Sequence, residues 1–346
     1  MTKNSTNTPC ILSIIIPVYN GSNYLSKAIN SILEQKNDFP SLEIIVVNDG
    51  SKDDFATKNV AESFGDQIRY YEKKNGGVST ALNFGIEKMN GNYFSWLSHD
   101  DYFLPGRFAA IRDRIGDLGQ YQILAHDYRL VDENEQKIRD VVDLRSAFQS
   151  HPYYNLKGCY LCGCALIIPK GLFEKIGKFR VDLKFTQDLE MWSRLGKFAE
   201  LIYVPLVLTS MRVHIAQVTM VQSEKMIAED SILQVEIIAK YLLNEEDWNT
   251  AAKKLGFKYT FLMLIYMVQY SKIVRRSAGA SQSYLNSYQG IYGRTFVSKI
   301  AEWKVSLLLF SIGFYSKRFL IFLNSEGLKS VPKIILLFLR NRRILN

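Results

Sequence analysis

Apolar residues run in short, nearly unbroken blocks through the first hundred positions, and each block gives way to a stretch with helical spacing. Ile11–Val18 is rich in β-branched residues, which predicts a buried strand closed by Tyr19-Asn20-Gly21. Leu25, Ala28, Ile29, Ile32 and Leu33 then fall on one helix face, with Ser22-Asn23 as its cap. Glu43–Val47 predicts a second strand, ending in the turn cluster Asn48-Asp49-Gly50-Ser51. A polar helix over Asp54–Phe64, a short strand over Ile68–Glu72 and a helix over Ser79–Met89 follow. Tyr93–Leu97 is another buried strand, ending at Ser98-His99-Asp100-Asp101. Such alternation predicts an α/β domain with a mostly parallel sheet covered on both faces. Ligands of open sheets bind beyond the carboxyl ends of the strands. That rule singles out Tyr19-Asn20, Asp49-Gly50 and His99-Asp100-Asp101.

Past Pro105 the pattern loosens. Helices are expected over Phe108–Leu118, Gly171–Ile176 and Leu189–Phe198, and strands over Ile123–Asp132, Gln136–Val142, Gly163–Ile168 and Ile202–Val204, the last followed by Pro205. From about Gln217 the chain reads as helical to its end. With 47% hydrophobic and 22% charged residues among 346, the chain is globular in character.

Charge divides the chain in two. From Lys253 onward there are 16 Lys and Arg against Glu302 and Glu326, a net +14, while the preceding residues sum to −5. The basic part carries apolar runs, Tyr259–Ser271, Val305–Ser316 and Ile334–Leu339, that are too short to span a bilayer. Cations flanking Trp303, Phe310, Phe314 and Phe319 suit helices lying in the headgroup layer of an anionic membrane. A helical bundle with an ordinary basic surface is the plain alternative. No nucleic-acid-binding module is recognisable, so nucleic acid is not an expected partner. The polar start MTKNSTNTPC and the proline-bearing run after it do not have the form of a secretory signal. Three of the four cysteines lie in CYLCGC; without a second Cys/His cluster, GCYLCGCALIIP reads as a buried strand using Cys as a small apolar residue.

The candidate acids each carry two readings. Asp49 fits a turn aspartate bonding its own backbone, or a carboxylate that accepts from a nucleobase or ribose. Asp100-Asp101 fits a solvated turn, or oxygen ligands for a hard divalent cation completed by substrate phosphates. Asp188, two residues after the prospective cap Thr186, fits helix-dipole complementation or an ionised general base. Arg212 and His214, two apart in a strand-like stretch, suit phosphate or metal, or a structural pair.

Six segments in order resemble glycosyltransferase family 2, the inverting enzymes of GT-A fold: SIIIPVYNGSNYLSKAINSILEQ, EIIVVNDGSKDD, NGGVSTALNFGIEKMNGNYFSWLSHDDYFLP, GCALIIPKGLFEKIGKF, TQDLEMWSRL and RVHIAQVT. They cover roughly 60% of the chain, from Ser13 to about Val218. The resemblance implies a GT-A catalytic domain over 1–217, with a nucleotide-binding half at about 11–105 and an acceptor half at about 106–217, and a helical basic region over 218–346. It implies that Pro17, Val18 and Tyr19 surround the nucleotide base, that Asp49 binds uracil or ribose, and that Asn75, Gly77 and Asn83 frame the donor pocket. Asp100 matches the last acid of the DxD motif that holds a divalent metal, Mn²⁺ or Mg²⁺, and the donor diphosphate. Asp101 follows it as a further metal ligand, and His99 and Arg212 fall in the donor site. Asp188 matches the acid of the ED motif, the general base, and His214 the histidine that approaches diphosphate or metal. The chain departs from the pattern at Ser98, where the first DxD acid is missing, and at Gln187, where an acid precedes the base. The implied activity is transfer from a nucleotide sugar, UDP-hexose by family frequency, to a lipid-linked saccharide in surface-polysaccharide synthesis, by a cytoplasmic enzyme peripheral on the inner face of the cell membrane. A non-catalytic nucleotide-sugar binder and a nucleotidyltransferase are the alternatives, although no Gly-rich loop bearing Arg or Lys follows the first strand.

Overall fold

A computed structural model describes residues 12–39, 41–142, 161–215, 217, 229 and 233. Cys10, Cys159, the helical stretch expected beyond Gln217 apart from residues 229 and 233, and the apolar runs of the basic region lie outside these residues.

The first half is built as the alternation predicts. Strands β1 (Leu12–Val18), β2 (Leu42–Asn48), β3 (Arg69–Glu72) and β4 (Tyr93–Trp96) are joined through helices α1 (Ser22–Leu33), α2 (Ala56–Glu62) and α3 (Val78–Lys88). All four strands pair in parallel, in the order β3-β2-β1-β4. The order reverses between β1 and β4, so a crevice opens at their carboxyl ends. Right-handed crossovers place α1 and α2 on one face and α3 on the other. That is why β1 is buried throughout its length, with its isoleucines sealed from both sides. Gly85 of α3 lets that helix close on β1: a Cβ there would lie 2.5 Å from Ile15.

The second half turns the sheet mixed. It supplies β5 (Tyr102–Phe103), α4 (Arg107–Ile115), β6 (Gln122–Val131), β7 (Lys137–Val141), β8 (Leu166–Pro169), α5 (Lys170–Ile176), α6 (Gln187–Phe198) and β9 (Glu200–Arg212). Strand β8 runs antiparallel between β4 and β6, and β9 runs parallel to β6. The complete order is β3-β2-β1-β4-β8-β6-β9-β5, with β7 on β6.

Two expectations change here. Strand β9 continues eight residues past Val204, because a bulge absorbs Pro205: pairing jumps from His126–Val204 to Asp127–Val207. Gly163–Ala165 is a 3₁₀ turn, and the strand begins only at Leu166. Gly163 packs against the Trp96 indole, where a Cβ would stand 2.3 Å from a ring carbon.

A buried cation ties the halves together. Arg107, fully buried at the start of α4, lies 3.7 Å from the Phe103 ring centroid and donates to Ser95 Oγ of β4 and to His126 Nε2 of β6. Burial lowers its pKa to about 9. The same burial, with the Arg107 charge beside it, lowers His126 to about 3. His126 is therefore a neutral acceptor toward Arg107, and its Nδ1–H donates to the Asp127 carbonyl, 2.8 Å away.

Candidate active site

The β1–α1 turn is fastened to the β2–α2 turn. Asn20 adopts a left-handed φ of 49°. Its N–H donates to Ser51 Oγ, and its side-chain oxygen accepts from Lys52 N. Gly21 N donates to Thr57 Oγ1. Pro17 and Val18 are buried at the strand end, whereas Tyr19 is 42% exposed and free to meet a ligand. Gly21 is required because the His99 imidazole occupies the space of a side chain: a Cβ would lie 2.1 Å from it.

Asp49 organises the next wall. Its buried carboxylate accepts from Lys73 Nζ at 2.5 Å, from Gly76 N and from Gly77 N at 2.7 Å. Asn75 Nδ2 donates to the Asp49 carbonyl, which closes the loop over the turn. Gly77 has φ 93° and Gly50 φ 68°, conformations glycine adopts without strain. The Asp49 carboxylate thus bonds not its own turn, as one reading expected, but the Lys73–Gly77 loop, which it shapes. Lys73 was not singled out by the sequence, since its partner lies 24 positions away.

The end of β4 gathers the other candidates. Asp100 Oδ2 lies 3.1 Å from His214 Nε2, just past the end of β9. His99 sits beside both; burial lowers its pKa, with the Asp100 charge opposing and His214 adding to the shift. A neutral imidazole is the form that binds metals. Oxygen and imidazole donors together suit a divalent cation completed by phosphate oxygens. Among the described residues no group of three or more His, Cys, Asp and Glu converges as a self-sufficient ion site.

Asp101 is placed differently from Asp100. It is 4% exposed; Oδ1 accepts from Arg212 N, and Oδ2 lies 3.4 Å from Cys164 Sγ. Burial, with Cys164 and Asp100 nearby, raises its pKa well above the carboxylate range. Held in this way, the Asp101 carboxyl braces the turn between the end of β4 and the end of β9. Arg212 is tied to the same turn. Its guanidinium is buried and committed to Asp100 O, Glu133 O and Glu135 Oε1, so it supports the chain that carries Asp100. Asn83 exchanges two hydrogen bonds with the Phe179 backbone, 96 positions on. Cys164 is the buried apolar cysteine that was expected, with Ser98 N donating to its sulfur.

Asp188 is the second residue of α6, half-buried, with its Oδ1 accepting from Leu189 N. Thr186 stands at the cap position, but its hydroxyl makes no capping bond. It donates to Glu229 instead. Glu229, 6% exposed, also accepts from the backbone N–H groups of Lys184, Phe185 and Thr186. Lys184 Nζ donates to Gly76 O, joining this turn to the loop that Asp49 shapes. Nothing in the local pattern around Glu229 marks it, because its partners lie 43–45 positions earlier.

Comparison with known proteins agrees with this architecture. Residues 13–177 match Glycosyl transferase family 2. A Rickettsia typhi protein described as an uncharacterized glycosyltransferase is 41% identical over 221 residues, 63% of this chain and 68% of its own length. Several longer Rickettsia relatives are matched over only about a third of theirs. The minor teichoic acid biosynthesis protein GgaB of Bacillus subtilis is 40% identical over 98 residues, 28% of this chain and 11% of that protein. The crystal structure of S. aureus TarS 1-349 in complex with UDP-GlcNAc has a TM-score of 0.53 at 19% identity, over 72% of this chain and 73% of that one. That likeness is one of fold.

Proposed function

The chain belongs to glycosyl transferase family 2, and from that premise we propose that it moves a hexose from a UDP-sugar to a hydroxyl of a lipid-linked saccharide, inverting the anomeric carbon, in cell-surface polysaccharide synthesis. The observation that carries the reading is the Asp100–His214 pair beyond β4, at the point where the strand order reverses. GgaB and the UDP-GlcNAc complex of TarS support the choice of pathway and donor.

Each residue then has a task. Tyr19 and the Asp49-shaped loop receive the nucleotide, with Asn75 and Gly77 as its rim. Asp100 and His214 hold a divalent cation, Mn²⁺ or Mg²⁺, together with the donor phosphates. When bound, that ion supplies Lewis-acid neutralisation of the charge that grows on the leaving diphosphate. His99, kept neutral by burial, adds no charge to the pair. Asp188 takes the proton of the acceptor hydroxyl as that oxygen attacks the anomeric carbon from the face opposite the diphosphate. A single displacement of this kind inverts configuration and requires no covalent intermediate.

The basic region from Lys253 holds the enzyme against the inner face of the membrane, where a lipid-linked acceptor is found. Each cation near an anionic leaflet contributes about 1 kcal/mol. Among the described residues no helix is long and apolar enough to cross a membrane. The test is slow donor hydrolysis across UDP-, GDP- and dTDP-sugars with Mn²⁺. A transferase releases nucleoside diphosphate and free sugar, with UDP-sugars turned over fastest. Pyrophosphate-dependent release of nucleoside triphosphate, or no turnover of any donor, contradicts the proposal.

A further inference from the structure

We propose that Glu229 is a positioning residue for Asp188, supplied by the chain beyond β9 and acting through the turn that launches α6. This rests on the reading of Asp188 as the general base.

Three consecutive backbone N–H groups and one hydroxyl converge on a single carboxylate. Lys184 N lies 2.9 Å from Oε2, and Phe185 N, Thr186 N and Thr186 Oγ1 lie 2.8, 2.9 and 2.9 Å from Oε1. Successive N–H groups curled in this way form an anion-binding nest, and charge-assisted bonds to it are stronger than neutral ones. An ordinary connection between α5 and α6 would leave these groups to water. Burying a carboxylate to satisfy them is costly unless it is fully hydrogen-bonded, so the arrangement fixes one backbone conformation at residues 184–186.

That conformation reaches the site in two directions. Forward in sequence, Thr186 is the residue before α6, and Asp188 follows in the first turn. With the Thr186 hydroxyl bound to Glu229, no side-chain cap holds the start of α6, and the nest takes over the work of anchoring it. Sideways, Lys184 Nζ reaches Gly76 O, in the loop whose N–H groups bind Asp49. Glu229 therefore holds the helix that bears the base in register with the donor loop. It lies beyond residues 13–177, the stretch that matches the family, so the site draws on a part of the chain that the family match does not reach.

The test is a double-mutant cycle on the full chain. It uses Glu229→Ala, Glu229→Gln and Asp188→Asn, and follows nucleotide release from the best-hydrolysed sugar nucleotide of the panel with Mn²⁺. Glu229→Ala should lower kcat by about 10–100-fold, the scale of a catalytic group displaced by about an ångström. The Kd for UDP should stay within about twofold, since the donor loop keeps its bonds to Asp49 when the Lys184 tie loosens. Glu229→Gln keeps one acceptor oxygen and should recover part of the loss; if the alanine variant does not fold, the glutamine variant carries the cycle. In the Asp188→Asn background neither change should lower the rate further. Additive losses, equal losses in kcat and UDP affinity, or a normal kcat for Glu229→Ala beside a crippled Asp188→Asn would overturn the positioning role alone. A normal rate for Asp188→Asn would overturn the base assignment, and the positioning role with it.

Discussion

His214 Nε2 and Asp100 Oδ2 lie 3.1 Å apart although 114 positions separate them. Strand β4 delivers the carboxylate and the end of β9 delivers the imidazole, and Arg212 clamps the two segments together. Asp101 is the next residue in sequence but belongs to the interior. Its carboxyl oxygens are turned to Arg212 N and Cys164 Sγ, and the first of these contacts survives in asparagine. Asp101→Asn should therefore leave Mn²⁺-dependent UDP affinity within about threefold of wild type, whereas His214→Ala should weaken it by about tenfold, one charge-assisted contact's worth. Equilibrium dialysis of UDP with Mn²⁺ reads both. Equal losses would mean that Asp101 faces the ion after all.

Gly50 stands where the Asp49 turn meets the Asn75 backbone. A Cβ there would lie 2.8 Å from Asn75 N at a φ of +68°. Gly50→Ala should destabilise the fold by about 1–3 kcal/mol and reduce UDP affinity, because the loop that Asp49 shapes must shift. Gly65→Ala shares the positive φ but meets nothing within 4 Å, so it should cost stability and leave UDP binding unchanged. Denaturant titration and UDP calorimetry on both variants separate strain from loop displacement.

The neutral His126 makes stability depend on pH in a definite direction. Its folded pKa of about 3 lies below the value near 6.5 of an unfolded histidine. Its contribution is complete above about pH 6.5 and declines as pH falls toward 3, because only the unfolded chain takes up the proton. The slope is about 1.4 kcal/mol per pH unit. His126→Gln, which keeps an acceptor for Arg107, should shrink the stability lost between pH 6.5 and 5 by about 2 kcal/mol. His99 is shifted in the same direction, so the dependence should weaken without vanishing. Urea unfolding across that range would show it; an unchanged slope would mean that His126 is protonated in the folded protein.

The basic region should make membrane association electrostatic. With 16 cations and two acids from Lys253 onward, sedimentation with vesicles should rise with the fraction of anionic lipid and fall steeply with added salt. Equal binding to neutral vesicles, unaffected by salt, would contradict a headgroup-level attachment.

What was legible in the sequence follows from what periodicity reports. Blocks such as Ile14–Val18 and Ile44–Val47 are apolar because both faces of the sheet are covered, and the strands, their order of appearance and their polar ends could be read directly. The helix bearing Asp188 was expected from Leu189 and begins at Gln187. Periodicity does not report which oxygen a distant donor has already taken. Asp101, Arg212 and Asn83 stand at suitable motif positions, and only the folded chain shows that each also bonds partners 63–112 positions away. Pro205 signals a strand end by its missing N–H, but a bulge accommodates it and carries β9 on to Arg212, which is what brings His214 to Asp100. Glu229 is the converse case, an unremarkable acid in the pattern whose bonds to the turn at 184–186 appear only in the folded chain.

The central claim is that Asp100 makes donor binding depend on a divalent cation. Calorimetric titration of UDP onto the full chain, in Mn²⁺ and then in EDTA, for wild type and Asp100→Asn, addresses it in one measurement. Wild type should bind in Mn²⁺ and lose at least about tenfold in affinity in EDTA, about 1.4 kcal/mol, while Asp100→Asn should bind weakly in both. Full-strength binding of UDP by wild type in EDTA would contradict the account and make the Asp100–His214 pair a structural contact only.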